Sequence, residues 1–259
     1  MDLGIAGRTA IVCASSRGLG FASARALAAE GVHVIINGRD RDRLEAAARA
    51  LATDAKGRIT PVVGDVTSAE GRAALLDACP DPDILINNNA GPAPGNFLEV
   101  EEKRWHDVLE ANMLAPLMLL RAVLPAMKAR NFGRVVNITS AMVTTPRPHM
   151  VLSAGSRAGL TAVLKGISLD VARYNVTINN MLPERLDTDR QEYMARQAMI
   201  RENIDYDEAR LRQRESIAAK RLGRPEEFGN TCAFLCSAHA GFISGQNFHL
   251  DGGTYPALI

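Results

Sequence analysis

The feature of the sequence that most constrains its fold is a regular alternation of short apolar runs with longer stretches rich in helix-forming residues. Most of the apolar runs are β-branched and lack strict polar alternation, which is typical of strands covered on both faces. The strand candidates are residues 9–13, 32–37, 59–63, 84–87, 135–138, 177–181 and 247–250. Strand–helix alternation requires right-handed crossovers. The sequence therefore predicts an α/β fold with a doubly wound parallel sheet of about seven strands and helices on both faces.

Helices are predicted between these strands, at residues 19–30, 41–54, 101–127 and 153–174. One more helix is predicted to begin at Thr67, because Glu70 follows it at the spacing of a capping box. The helices complete the crossovers that a parallel sheet needs.

Residues 187–222 interrupt this alternation. The segment is highly charged and predicts two exposed helices with no strand. Insertions after the carboxyl end of a strand in a doubly wound fold overhang the ligand crevice. We interpret the segment as a helical substrate lid within a single domain of residues 1–259; a solvated surface hairpin is the alternative.

Composition narrows the class of partner. The 259 residues carry a formal net charge of +1, which argues against a nucleic acid or a membrane surface held by bulk electrostatics. No run of 18 apolar residues occurs, and the amino-terminal segment has Asp2 and no basic region, so neither a transmembrane helix nor a secretory signal is expected.

Four cysteines are scattered along the chain, and only Cys232 and Cys236 are close. Their four-residue spacing could supply half of a metal site, but no cluster of His or acidic residues completes it. We therefore predict a packed helix face and no metal. Reduced thiols favour a cytoplasmic location.

A dinucleotide site of the Rossmann type is predicted between the first strand and the first helix. Glycines there let the backbone approach a pyrophosphate, and the helix N-terminus supplies free N–H groups and a positive dipole end. An ordinary βα turn is the alternative. The cofactor-binding residues assigned in this loop are Ser15, Arg17, Gly18, Leu19 and Gly20.

The end of the second strand discriminates between cofactors. An NAD site usually places an Asp or Glu there, whereas this chain has Asn37, Gly38 and Arg39. Arg39 and the loop residue Arg17 are cations that can bind a 2′-phosphate through charge-assisted hydrogen bonds. NADP(H) is therefore predicted as the preferred cofactor and NAD(H) as the alternative; a surface role for Arg39 beside Asp40 also stays open.

Further motifs follow in a fixed order. They are Gly64-Asp65-Val66, Asn88-Asn89-Ala90-Gly91, Ala111-Asn112-Met113, Ser140, Pro183 with Thr188, and the segments 223–227 and 245–253. Together with the glycine loop they resemble the short-chain dehydrogenase/reductases over the whole chain, most closely the β-ketoacyl carrier-protein reductase-like group. The resemblance implies cofactor binding by Asp65, Val66, Asn89, Ala90, Gly91, Pro183 and Thr188. It implies catalytic roles for Asn112 and Ser140.

The chain departs from this family's pattern in the fifth long helix. Where the family carries Tyr-x-x-x-Lys, the same register here holds Ser153 and Arg157. Four-residue spacing still puts both side chains on one helix face. A phenol has a pKa near ~10 and can pass a proton, whereas an aliphatic alcohol is a poor general acid. Arg157 can bind the nicotinamide ribose but relays no proton; His149 is the nearest titratable alternative.

Three functions remain open at this stage. The first is an NADP-dependent oxidoreductase that reduces a ketone or oxidises a secondary alcohol, with altered catalysis. The second is a dinucleotide-binding pseudo-enzyme that acts as a sensor or partner subunit with little redox activity. The third is a non-redox reaction on the same scaffold, because fold does not settle function. The substrate is a small carbonyl or alcohol whose identity the sequence does not give.

Assembly is predicted from two helices. Residues 108–127 are apolar on nearly every face, more than one sheet can cover. The next long helix has Ala154, Ala158 and Ala162 at four-residue steps, with Gly155 and Gly159 beside them, which permits close approach of another helix. We expect an isologous homodimer, with residues 255–259 available for a second contact in a homotetramer. Burial of the whole apolar face inside one chain is the alternative.

Overall fold

A computed structural model describes residues 1–258. Seven parallel strands form one sheet in the order β3-β2-β1-β4-β5-β6-β7. Each predicted strand is present, so the doubly wound α/β fold of a single domain is confirmed. The strands are β1 (Thr9–Val12), β2 (His33–Gly38), β3 (Ile59–Val63), β4 (Ile84–Asn87), β5 (Gly133–Ile138), β6 (Val176–Pro183) and β7 (Asn247–Leu250).

The helices cover both faces of the sheet. Along one face lie α1 (Gly18–Ala29), α2 (Arg41–Ala52) and α9 (Pro225–Leu235). The opposite face is covered by α3 (Ala69–Ala78), α5 (Ala115–Ala129) and α6 (Val151–Val171). The remaining helices are α4 (Glu102–Leu109), α7 (Asp189–Glu202) and α8 (Tyr206–Glu215).

Two apolar layers follow from the pleat of the strands. Successive side chains of a strand point to opposite faces. In β1, Val12 therefore packs in the layer under α1, and Ile11 packs in the layer under α5. Cys232 and Cys236 lie in the first layer, and all four cysteines are free and buried.

The start of α3 differs from the prediction by one residue. Ser68, not Thr67, is the N-cap, and its hydroxyl accepts a hydrogen bond from the Gly71 N–H at 3.0 Å. The reason is Asp65, whose carboxylate accepts bonds from both the backbone N–H and the hydroxyl of Thr67, at 2.9 and 2.8 Å. Those bonds turn the chain before the helix begins.

The predicted helix at 101–127 contains a π turn. α4 and α5 are joined by a π-helical turn, Glu110–Leu114, in which the Ala115 N–H donates to the Glu110 carbonyl five residues back. Pro116 follows and has no N–H to donate to the carbonyl of Asn112, so one α-helical hydrogen bond is missing beside the π turn.

The continuous helix from α4 to α5, Glu102–Ala129, is long and apolar enough by length and composition to cross a membrane, with a mean hydropathy of 1.4 and 39% of that window buried. Several of its residues, including Leu119 and Val123, are fully buried in the layer against the sheet. A helix buried in the core of a globular protein passes the same test of length and composition.

Residues 187–222 form the two helices α7 and α8, between β6 and α9. A single parallel bridge between Leu186 and Gly223 joins the two ends of the segment. Two polar contacts join the helices: the Gln213 side-chain amide donates to the Gln191 carbonyl at 2.9 Å, and Arg212 donates to the Glu202 carboxylate at 3.1 Å. The insertion is therefore a compact helical pair anchored at its base.

Candidate active site

The turn between β1 and α1 needs glycine at position 20. A Cβ at Gly20 would lie 2.5 Å from the Ala14 carbonyl oxygen and 2.7 Å from the Asn88 amide nitrogen. The N-cap residue of α1, Arg17, makes no side-chain capping hydrogen bond. The first N–H groups of α1 are thus left for an anion, and a helix N-terminus with such groups suits a phosphate.

A crevice of about 1310 Å³ opens at the carboxyl ends of the strands. It exceeds the roughly 300–1,000 Å³ of sites for single drug-sized ligands, so a longer ligand fits. The wall contains most residues assigned from the sequence: Arg17, Gly18, Leu19, Arg39, Asp65, Val66, Asn89, Ala90, Gly91, Ser140, Ser153, Arg157, Pro183 and Thr188.

Three of the assigned residues lie outside that wall. Ser15 is fully buried, and its hydroxyl donates to the Val12 carbonyl at 2.7 Å and accepts from the Asn37 N–H at 3.0 Å. Gly20 lies beneath the loop. Asn112 is buried in the π turn, where its side-chain amide donates to the Val108 carbonyl at 3.4 Å and its Oδ1 has no hydrogen-bond partner. The side chains of Ser15 and Asn112 therefore bond to the loop and the helix rather than lining the crevice.

The two arginines predicted to bind a 2′-phosphate both line the crevice and are exposed. Arg17 pairs with Asp189 of α7 at 2.9 Å, and Arg39 lies 3.6 Å from Oδ2 of Asp65. Burial raises the pKa of Asp65, but hydrogen bonds from Thr67 and the charge of Arg39 outweigh it, so the pKa is below its ordinary value. Asp65 is therefore a carboxylate at neutral pH.

Arg157 is buried in the wall, with 6% of its surface exposed. Its Nη1 donates to the carbonyls of Ile138 and Thr139, at 2.6 and 3.0 Å, and Nη2 donates to the Asn89 carbonyl at 3.4 Å. Burial lowers its pKa to about 10, and the charge of Arg190 contributes. Arg157 remains a cation at neutral pH, and it braces the ends of β4 and β5.

The two serines lie close to Arg157 in the same wall. Ser153 is one helical turn before it on α6, is buried, and lines the crevice. Ser140 follows β5, and its hydroxyl accepts a hydrogen bond from the Met142 N–H at 3.2 Å. Ser153 and Arg157 therefore lie one helical turn apart on α6, and both line the crevice.

His149 also lines the crevice, in a short turn before α6. Burial lowers its pKa, and the charges of Arg201, Arg147 and Arg185 lower it further, while Glu202 opposes them. The imidazole is therefore neutral at neutral pH, and it is a weak proton donor in that form.

Sequence reasoning missed the arginines that α7 and the end of β6 bring to the crevice. Arg190 donates to the Pro92 carbonyl at 2.7 Å and lies over the ring of Tyr193, 5.3 Å from its centroid. Arg147 and Arg185 flank Glu184 at 3.4 and 3.3 Å. For Arg190 the abundance of arginine in residues 187–222 was the available signal, but only the packed structure shows that it faces the crevice; Arg147 and Arg185 lie outside that segment.

The fold and this crevice define a Rossmann-type α/β protein with its ligand site at the carboxyl ends of the strands. A family model described as enoyl-(acyl carrier protein) reductase matches residues 13–255. The chain is 31% identical to dehydrogenase/reductase SDR family member 4 of Rattus norvegicus over 255 residues, covering 96% of this chain and 88% of that protein.

Two further similarities point the same way. The 3-oxoacyl-[acyl-carrier-protein] reductase FabG of Vibrio cholerae is 31% identical over 258 residues, 98% of this chain and 99% of that one. The crystal structure of L-sorbose reductase from Gluconobacter frateurii, complexed with NADPH and L-sorbose, superposes with a TM-score of 0.93 at 28% identity and full coverage of both chains. The chain belongs to the short-chain dehydrogenase/reductase family.

Proposed function

We propose that the protein is an NADP(H)-dependent oxidoreductase that interconverts a ketone and a secondary alcohol, with weakened proton transfer. Family membership supports oxidoreductase chemistry, and the 3-oxoacyl reductase of Vibrio cholerae and the L-sorbose reductase are relatives that act on carbonyl groups. The observation that carries the proposal is the crevice itself, with the glycine turn at one end and Ser140, Ser153 and Arg157 at the other.

The residues present fit a phosphorylated dinucleotide. Gly20 lets the β1–α1 turn pack tightly against Ala14 and Asn88, and the N-terminus of α1 offers unpaired N–H groups. Arg17 and Arg39 would hold a 2′-phosphate, and Asp65 with Val66 would contact the adenine. Asn89, Ala90, Gly91, Pro183 and Thr188 line the path toward Arg157. The L-sorbose reductase that superposes on this chain binds NADPH.

Bound NADPH would supply a hydride to the carbonyl carbon. On the protein side, Ser140 and Ser153 would donate hydrogen bonds to the carbonyl oxygen, and Arg157 would hold the cofactor ribose. We propose that Ser153 and Arg157 take the positions of the family's Tyr and Lys. Asn112 would act through its backbone carbonyl, which Pro116 leaves without an α-helical partner. Electrostatic stabilisation is then kept while general acid catalysis is lost.

α7 and α8 would act as a lid over the substrate, since their inner residues line the crevice. The proposal places the enzyme in the cytoplasm, and four free cysteines agree with a reducing compartment. The substrate would be a small molecule, and the protein would act without metal.

A second candidate is a dinucleotide-binding protein with little redox activity. The observation in its favour is the weak acid at position 153 beside a guanidinium that is fixed on three backbone carbonyls. Calorimetric titration with NADPH, combined with NADPH oxidation in the presence of a panel of ketones, separates the two. Binding with turnover supports the oxidoreductase, and binding without any turnover supports the second candidate. Absence of NADPH binding contradicts both.

A further inference from the structure

Ala14 has a backbone conformation that alanine rarely adopts. Its φ is 44°, in the left-handed region, which favours glycine because a Cβ there crowds the following carbonyl oxygen. Ala14 is the second residue after β1, in the turn that leads to α1. A residue in such a conformation persists only where the surrounding structure fixes it. Neighbouring groups must therefore hold Ala14 in place.

One of these groups is the side chain of Asn37, near the carboxyl end of β2. Its Oδ1 accepts a hydrogen bond from the Ala14 N–H at 3.3 Å, and its Nδ2 donates to the carbonyls of Val62 and Gly64 at 3.1 and 3.0 Å. Both N–H groups of the amide meet acceptors and the oxygen meets a donor, so this orientation of the amide is the one that satisfies all three partners. Asn37 therefore joins the β1–α1 turn to the end of β3.

The main chain of Asn37 holds the next residue of the turn. Its N–H donates to the Ser15 hydroxyl at 3.0 Å, and its carbonyl accepts from the Ser15 N–H at 2.8 Å. Asn37 lies in the wall of the crevice but is only 2% exposed. In an NAD site an acid near this strand end usually accepts hydrogen bonds from the adenosine ribose. The Asn37 side chain is instead bonded within the protein.

The conformation of Ala14 is transmitted to α1 through its carbonyl group. A Cβ at Gly20 would lie 2.5 Å from the Ala14 carbonyl oxygen, so this carbonyl packs directly on the first turn of α1. The same oxygen accepts a hydrogen bond from Nδ2 of Asn88 at 3.1 Å. Rotation of Ala14 out of the left-handed region would move its carbonyl relative to α1, whose first N–H groups suit a phosphate.

We infer that Asn37 is a positioning residue for the cofactor: it holds Ala14 in the left-handed conformation that places the N-terminus of α1, and it does not recognise the adenosine ribose. This inference rests on the proposed function for the presence of a dinucleotide. It predicts that Asn37 affects NADP(H) and NAD(H) equally, because both carry the same pyrophosphate.

The test is calorimetric titration of NADP⁺ and NAD⁺ into the unmodified protein and Asn37→Ala. We expect Asn37→Ala to weaken the binding of both nucleotides by about fivefold to thirtyfold, the factor by which the left-handed region is disfavoured for residues other than glycine. The ratio of the two affinities should stay within about twofold of its original value.

A second substitution separates positioning of the turn from a general loss of stability. Glycine adopts a positive φ without a Cβ penalty, so Ala14→Gly should not need the Asn37 side chain. The double variant Ala14→Gly with Asn37→Ala should therefore recover most of the affinity that Asn37→Ala loses. Urea unfolding of the cofactor-free variants should show the same coupling, with the two substitutions costing less together than their separate effects predict.

Asn179→Ala is the matched control. Asn179 on β6 is also fully buried, donates to the Ile243 carbonyl at 2.7 Å and accepts from the Gln246 N–H at 3.1 Å, outside the wall of the crevice. Its loss should lower the stability of the fold and leave both nucleotide affinities unchanged. Asn37→Ser repeats the comparison with a small polar side chain, should Asn37→Ala not fold.

Three results would overturn the inference. One is equal NADP⁺ affinity in Asn37→Ala and Asn179→Ala. Another is a double variant that binds no better than Asn37→Ala. The third is a tenfold change in the ratio of NADP⁺ to NAD⁺ affinity in Asn37→Ala, which would assign Asn37 to recognition of the ribose. An unmodified protein that binds neither nucleotide would refute the proposed function, and additive unfolding effects would then refute the hold on Ala14 separately.

Discussion

A guanidinium at position 157 changes what the neighbouring hydroxyl groups can do. Arg157 keeps its charge at any physiological pH. Its planar guanidinium donates hydrogen bonds to the carbonyls of Ile138, Thr139 and Asn89. It can orient a ribose and stabilise negative charge, but it cannot pass a proton. Ser153 beside it has no phenol-like acidity. At the scale of single residues, we propose that the site positions and stabilises its ligands rather than donating a proton.

Restoring a phenol and an amine should therefore restore the missing acid. We expect Ser153→Tyr combined with Arg157→Lys to raise kcat/KM for ketone reduction by about a hundred- to ten-thousandfold, the usual contribution of general acid catalysis. The comparison is with Arg157→Lys alone, which lacks the phenol and should gain little. A double variant that binds NADPH normally and turns over no faster would contradict the proposed roles.

Cofactor choice is expected to depend on Arg39. Arg39→Asp replaces a cation next to the proposed 2′-phosphate by an anion, and it also places a like charge near Asp65. The NADP(H)-over-NAD(H) affinity ratio should fall by roughly ten- to a hundredfold. Arg41→Asp, which reverses an exposed charge on α2 outside the crevice, serves as the control. Fluorescence titration with both cofactors measures the ratio, and an unchanged ratio would refute the assignment.

How far the sequence predicts the site depends on where each residue stands relative to a strand end. Arg39, Ser140 and Pro183 could be placed because each lies at the end of a strand or within two residues after it, and such positions face the crevice in a doubly wound sheet. Ser15 could not, because its direction is decided by hydrogen bonds to Val12 and Asn37. Arg190 was missed, because its position depends on how α7 packs across the crevice.

At the scale of elements, hydrophobic periodicity predicts that a helix exists and says little about its internal hydrogen bonds. Residues 101–127 keep a helical pattern throughout, yet the structure has a π turn at Glu110–Leu114. Pro116 leaves the carbonyl of Asn112 without an α-helical donor, but Pro125 does the same to another carbonyl within α5 without a π turn, so proline alone does not predict where the register changes. The start of α3 also differs from the prediction. The Asp65 carboxylate accepts hydrogen bonds from the backbone N–H and the hydroxyl of Thr67, so this hydroxyl is not available to cap the helix.

Protonation of His149, whose pKa is lowered by burial and by nearby arginines including Arg201 of α7, should destabilise the fold as pH falls. The pKa of His149 is lowered by burial and then by Arg201, Arg147 and Arg185, with Glu202 opposing. The unfolded chain, with an ordinary pKa near ~6.5, therefore binds a proton before the folded protein does as pH falls. The contribution of His149 to stability is present above that value and is lost as pH falls through it.

His149→Gln removes this titration, so the loss of stability between about pH 7.5 and pH 5.5 should be smaller than in the unmodified protein. Urea unfolding at the two pH values measures it. His106→Gln, at an exposed position of α4, controls for the removal of a histidine. An equal loss of stability in His149→Gln and His106→Gln would show that protonation of His149 does not weaken the fold.

At the scale of the whole molecule, the apolar surface of the α5 and α6 layer is only partly covered by its own chain. A Cβ at Gly155 would lie 3.5 Å from Trp105, and a Cβ at Gly159 would lie 3.2 Å from Met113. These two glycines therefore face residues of their own chain. On the outer side, Leu114, Met118 and Val163 remain about 40% exposed, at 42%, 38% and 39%.

We predict that this outer face forms an isologous dimer, since a two-fold axis lets the same apolar patch cover itself. Residues 255–258 remain available for a second contact, and Ile259 of that predicted tail lies outside the described residues. Light scattering at micromolar concentration should give at least twice the mass of one chain.

Met118→Glu should lower that mass to a monomer or shift the equilibrium by tenfold or more, because it buries an unpaired charge in a roughly 1,200–2,000 Å² interface. Leu211→Glu puts the same charge at an equally exposed apolar position, 42% exposed on α8, and should leave the mass unchanged. A monomeric unmodified protein, or equal masses for Met118→Glu and the unmodified dimer, would rule this surface out.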